Sequence, residues 1–88
     1  MIYSLDIQEK AYSRFKKLER KNKKQLEIIN KKVKEILENP EHYKPLKGDM
    51  KGSRRVHIDK SFVLVCEIDY ENKVVRILDY DHHDNIYN

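Results

Sequence analysis

The feature that most constrains this chain is a change of period. Between residues 7 and 37 the apolar residues recur at steps of three and four. From Ser53 onward they recur at every second position. The first spacing belongs to a helix with one buried face, the second to a strand in a sheet. A chain with both, in that order, has to lay helices against a sheet, and few layer arrangements permit that.

The elements can be read in turn. Residues 2–5 (Ile-Tyr-Ser-Leu) read as a short strand. Asp6 has an acid three residues on, at Glu9; this is the spacing of a capping box and predicts a helix start. Ile7, Ala11, Phe15 and Leu18 give that helix one apolar face. Asn22 and Gln25 repeat the capping signal, and Leu26, Ile29, Val33, Ile36 and Leu37 give a second face. Asn39-Pro40 ends the second helix, because proline cannot continue it and biases the preceding residue away from helix. So little chain lies between the helices that they should form an antiparallel hairpin. Residues 41–52 read as a loop punctuated by Pro45, Gly48 and Gly52 and carrying Lys44, Lys47 and Lys51.

Beyond the loop, Val56 and Ile58 share one strand face with Arg54, while Arg55, His57 and Asp59 share the other. A turn at Asp59-Lys60-Ser61 leads to residues 62–68, apolar on both faces except at Glu67, which fits an interior strand. After a turn at 69–73, residues 74–80 form a further strand with Val75 and Ile77 opposite Arg76 and Leu78, and a short polar tail follows. The expected class is α+β: an N-terminal strand, an antiparallel helical hairpin, then a three-stranded antiparallel meander forming a curved sheet. The helices cover one face. The other, on which Arg55 and His57 stand, is left for a site.

Size limits what that site can be. A chain of 88 residues is expected to be one domain, spanning 1–88, and to bury only about 60–65% of its unfolded surface. A groove or an exposed face is expected, not a deep pocket. The net charge of +4 is uneven: residues 1–52 hold 14 Lys/Arg against 8 Asp/Glu, and residues 53–88 hold 5 against 7. The first half is either a footprint for a polyanion or an acidic partner, or a pair of well-solvated helices. The one cysteine, Cys66, lies in an apolar run and reads as a small core residue; it excludes a disulfide within the chain and a cysteine-based zinc site. Neither an apolar stretch of 18 residues nor a charged start leading into an apolar run occurs, so no membrane span or secretory signal is expected, and the expected location is cytoplasmic.

The residues able to carry chemistry fall in two clusters and a loop. Arg55 and His57, two apart on a strand, point the same way. They are either a phosphate clamp with a proton donor beside it or an ordinary polar sheet face. His82-His83 with Tyr87 offers an imidazole for proton transfer and a ring that could stack on a base, or is a frayed terminus. A metal set drawn from His82, His83, Asp79, Asp81 and Asp84 is disfavoured, since adjacent histidines in extended chain diverge and no HxH or HxxxH spacing occurs. Lys44, Lys47 and Lys51 could contact an RNA backbone or simply be solvated.

The order of motifs resembles a family. Pro45-Leu46-Lys47-Gly48, Gly52, Arg54-Arg55-Val56-His57-Ile58, Phe62-Val63-Leu64-Val65-Cys66-Glu67-Ile68 and His82-His83-Asp84-Asn85-Ile86-Tyr87 are similar, in sequence order, to the motifs of the RelE/ParE toxin superfamily. The β-α-α-β-β-β order matches over the whole chain. The resemblance implies a toxin of a type II toxin–antitoxin system, held in check by an acidic RelB-like antitoxin. Its RelE branch cuts messenger RNA in the ribosomal A site without metal or other cofactor. It implies Arg55, His57, His83 and Tyr87 as catalytic residues and Lys47 as a basic-loop residue near the substrate groove; Lys44, Lys51 and Arg54 are expected to join Lys47 in contacting RNA. Two positions depart from the pattern: Val63 and His83 stand where arginine is usual. The first removes a cation, and the second replaces a fixed charge with a group that can transfer a proton. Two other readings share the fold: a ParE-like inhibitor of DNA gyrase that cuts nothing, and a non-catalytic member that only binds its antitoxin. The hairpin of ParE-like chains is usually longer, which favours the first reading.

Overall fold

The computed structural model describes residues 3–40 and 53–87, with the backbone alone for Ser53 and Tyr87. The loop expected at 41–52, with Lys44, Lys47 and Lys51, lies outside the described residues. In chain order the elements are β1 (Ser4–Ile7), α1 (Glu9–Lys21), α2 (Lys23–Glu38), β2 (Ser53–Ile58), β3 (Phe62–Asp69), β4 (Val74–His82) and α3 (His83–Tyr87). The four strands form one sheet in the order β1-β4-β3-β2. As the short turns require, β2, β3 and β4 are antiparallel neighbours; β1 runs parallel to β4. The helices cover one face, where Ala11 of α1 and Ile29, Val33 and Ile36 of α2 meet Val56, Ile58, Leu64, Cys66, Ile68, Val75, Ile77 and Tyr80 of the sheet. The α+β architecture is the one the periods imply. Cys66 is fully buried in it, and burial pushes its thiol up to about 11, although nearby Arg54 works the other way.

Local signals fared unevenly. The strand expected at 2–5 runs from Ser4 to Ile7, so Asp6 lies within β1 and does not cap α1. Gln8 occupies that position and makes no side-chain cap bond. Sheet pairing outweighs the local cap here. Asp6 is in register with Arg76, and its Oδ2 accepts a bond from Arg76 Nε at 3.1 Å. The second cap is formed: Asn22 Oδ1 accepts from the Gln25 N–H at 3.1 Å. The Gln25 side chain does not return to the cap, however. It is buried in place of Leu26, which is only partly covered, and its Nε2 donates to Tyr80 Oη at 2.8 Å.

The largest departure is at the end of β4. Val65 pairs with Asp79 and Cys66 with Ile77, so Leu78 has no partner on β3. This one-residue bulge resets the alternation of the strand. Val75 and Ile77 face the helices, as expected; strict alternation would then put Asp79 and Asp81 in the core. With Leu78 inserted, Tyr80 turns inward, 3% exposed, stacked on Phe62 at 5.3 Å and packed against Phe15 at 5.8 Å. The expected polar tail is also structured. Asp81 and His82 continue the ladder opposite Val63 and Phe62, and the His83 N–H then donates to the Ser61 carbonyl at 2.7 Å as α3 begins.

The buried Gln25–Tyr80 bond gives a test of this packing. Tyr80→Phe leaves the Gln25 amide without its buried partner and should cost about 1–3 kcal/mol. Adding Gln25→Leu should recover much of the loss, because both polar groups are then gone. Urea unfolding of the two single variants and the double variant measures the coupling.

Candidate functional site

The face of the sheet turned away from the helices carries the candidate site. Pairing puts side chains in rows across it: Arg55, Val65 and Asp79 in one, His57, Val63 and Asp81 in the next. Strand spacing of about 4.8 Å sets the width of each row. Arg55 is half-buried and His57 exposed. After β4, the chain turns into α3, which packs back on β3 and β4. That turn carries His83 to His57, with ring centroids 6.2 Å apart and planes tilted by 37°. Val63, paired with His57 on one side and Asp81 on the other, is buried at 0% although it lies outside the helix-side core cluster. Two histidines 26 positions apart in sequence, and an arginine two residues from one of them, thus share one face.

The sequence-derived residues divide accordingly. Arg55, His57 and His83 come together. His82 goes elsewhere: its ring meets Phe62 edge-on at 5.4 Å, and its Nδ1 accepts the Asp84 N–H at 3.2 Å. Tyr87 closes α3, and its side chain lies outside the described residues. Arg54, expected to contact RNA, stands on the helix-side face, 3% exposed, hydrogen-bonded to Tyr70 Oη with its guanidinium 5.8 Å from that ring. Its strand parity, shared with Val56 and Ile58, points it inward. Nucleic acid lying over Arg55 and His57 would not meet it.

Two groups were missed by sequence reasoning. The first joins α1 to the end of β4. Arg14 Nε donates to Asp79 Oδ1 at 3.1 Å, Arg14 Nη2 lies 3.3 Å from Asp81 Oδ2, and Lys10 Nζ lies 3.2 Å from Asp79 Oδ2. Asp81 Oδ1 also accepts from the His82 N–H at 2.7 Å and from Asn85 Nδ2 at 3.1 Å. Burial acts to raise the Asp81 pKa, but the Asn85 and His82 bonds together with Arg14 and Lys10 hold it below the ordinary 3.8. The i, i+4 spacing of Asp81 and Asn85 was a readable sign of a helical turn; nothing local announces Arg14. The second group is Lys16, Lys17 and Arg20, which line a shallow depression of about 130 Å³ on α1.

Chemically, the face offers a fixed cation and two imidazoles able to approach one phosphodiester. Arginine suits phosphoryl oxygens, and imidazole suits proton transfer near neutral pH. Asp79 and Asp81, which would repel a polyanion, are paired with α1 cations.

Comparison with known proteins identifies this fold as that of a small toxin. A family profile described as "ParE toxin of type II toxin-antitoxin system, parDE" matches residues 5–87. An uncharacterised protein of Methanosarcina mazei is 58% identical over 86 residues, covering 98% of this chain and all of that one. A protein of Methanocaldococcus jannaschii with the provisional name toxin RelE4 is 48% identical over 86 residues, covering 98% and 92%. Among solved structures, the intact Escherichia coli RelBE toxin–antitoxin complex contains a chain that superimposes with a TM-score of 0.74 at 28% identity, covering 91% of this chain and 95% of that one. The chain belongs to the RelE/ParE toxin superfamily and is a toxin of a toxin–antitoxin system.

The lowered Asp81 pKa predicts a pH dependence. A carboxylate with a folded value below its unfolded one adds stability that is present above 3.8 and is lost as pH falls through the lowered value. Asp81→Asn should therefore unfold more readily at pH 7, and its stability should fall less steeply than the parent's below 3.8. Thermal midpoints across that range read both effects.

Proposed function

We propose that this toxin is a metal-independent endoribonuclease that cuts messenger RNA on the ribosome. The supporting observation is the meeting of His57 and His83, rings 6.2 Å apart, on the face that carries Arg55. In this reading a base removes the proton of a ribose 2′-hydroxyl. The freed oxygen attacks the adjacent phosphorus in line, and the bond to the 5′-oxygen breaks. An acid protonates that leaving oxygen, giving a 2′,3′-cyclic phosphate and a 5′-hydroxyl. His83 and Tyr87 handle protons or position the base, Arg55 stabilises the charge on the phosphoryl oxygens, and His57 assists. Lys44, Lys47 and Lys51 contact the RNA backbone, joined by the Lys16–Lys17–Arg20 depression.

The same reading supplies a partner. The Escherichia coli relative is seen in complex with its antitoxin. An acidic RelB-like chain that orders on binding would cover a basic toxin surface and suit its charge. No helix among the described residues is long and apolar enough to cross a membrane; a ribosomal target goes with a cytoplasmic location.

His83→Ala and Arg55→Ala should each relieve growth arrest on expression and lower messenger cleavage by roughly 10²–10³-fold, the usual range for a proton-transfer group or a transition-state donor. Primer extension reads the new 5′ ends. Full toxicity in both variants would sink this site. The description of the matching family as ParE favours one second reading, inhibition of DNA gyrase. Intact messages together with blocked supercoiling by the purified protein would select it.

A further inference from the structure

α3 has five residues. A single helical turn has no stability of its own, since nucleation costs more than so few bonds return. Its position must come from what it touches. The His83 N–H is tied to Ser61 at 2.7 Å, which fixes where the helix starts. The direction in which it then runs needs a second point of attachment. Asn85, two residues further on, provides one by donating from Nδ2 to Asp81 Oδ1 at 3.1 Å.

Asp81 is itself held. Its second oxygen, Oδ2, faces Arg14 Nη2 at 3.3 Å, while Arg14 Nε reaches Asp79 at 3.1 Å. A planar guanidinium bridging two carboxylates through different nitrogens has little rotational freedom left. Arg14 stands on a helix packed into the core through Ala11 and Phe15. The chain of contacts therefore runs from the rigid helical layer, through Arg14 and Asp81, to Asn85.

We propose that Arg14, Asp81 and Asn85 form a brace that orients α3 and so sets His83 against His57, which makes them positioning residues for the cleavage reaction. The proposal rests on the nuclease reading for what α3 does, while the brace itself can be tested without it. Misplacement of a reacting group by about 1 Å can cost roughly 100-fold in rate. Asn85 is exposed, so its truncation should leave the fold intact.

Two measurements on the full chain decide the matter. In Asn85→Ala, amide hydrogen exchange at Ile86 and Tyr87, whose N–H groups are the ones a turn beginning at His83 can bond, should quicken roughly two- to tenfold (about the factor expected for loss of one anchoring bond), with the amides of β3 unchanged. Cleavage of messenger RNA in programmed ribosomes should slow by roughly 10–100-fold at saturation, with the half-saturating ribosome concentration unchanged. Arg14→Lys keeps the charge but cannot span both carboxylates, and should fall between the parent and Arg14→Ala. The double exchange Asp81→Asn/Asn85→Asp, which reverses donor and acceptor, should regain α3 protection lost in Asn85→Ala. Unchanged exchange at α3 in Asn85→Ala overturns the brace. Faster exchange with an undiminished cleavage rate overturns its positioning role, as does a loss confined to ribosome affinity. A parent protein that cuts no message removes the nuclease reading, and the exchange data still decide whether the brace exists.

Discussion

The arrangement of this molecule depends on one unmatched residue. Leu78 has no partner on β3, and everything C-terminal to it on β4 is turned over as a result. Tyr80 enters the core, where its ring meets Phe15 and Phe62 and its hydroxyl meets Gln25. Asp79 and Asp81 leave it. Had the ladder continued without the insertion, two carboxylates would be buried among aliphatic side chains, at a cost no sheet of this size could bear. Bulges often lie next to active sites because they re-aim side chains without breaking the sheet. Here the redirected Asp81 accepts from Asn85 of α3, the element that brings His83 to His57.

The helical layer has two electrostatic tasks, and they fall to successive turns of α1. Lys10 and Arg14 neutralise Asp79 and Asp81. Lys16, Lys17 and Arg20, further along, line an open depression. The opposite end of the sheet has its own charge cluster, where Arg76 gathers Asp6 and Glu67 at 3.1 and 3.0 Å. The acids contributed by the second half of the chain are thus largely matched internally. The excess of positive charge carried by the first half is left to act outward, the sign a phosphate-rich partner calls for.

The sheet, the helical hairpin and the face of Arg55 and His57 were legible because each rests on side-chain period alone. Apolar steps of three and four around Ala11 and Phe15, and alternation at Val56 and Ile58, can be read without knowing what lies across from them. The parity that Arg54 shares with Val56 and Ile58 carries it into the interior, although a nucleic-acid contact was expected of it. What could not be read depends on pairing between distant segments. Asp6 resembles a cap until Arg76 is known to lie beside it. The bulge at Leu78 is a matter of register with β3, and register leaves no local trace. For the same reason Asp81 and Arg14, 67 positions apart, showed nothing of their ion pair, and residues 81–87 looked like a spare polar tail.

The parallel pairing of β1 has a consequence for how this fold is reached. β2, β3 and β4 meet through short turns, so their contacts close small loops. Ser4 must find Val74 across 70 positions. Loop-closure entropy rises with the logarithm of that separation, and non-local pairings slow folding. The meander and the helical hairpin can each assemble from neighbours in sequence, whereas β1 can dock only on a β4 that already exists. It joins through four residues on one side of the sheet. The pairing of β1, at the edge opposite β2, is thus the strand pairing whose closure costs the most chain entropy.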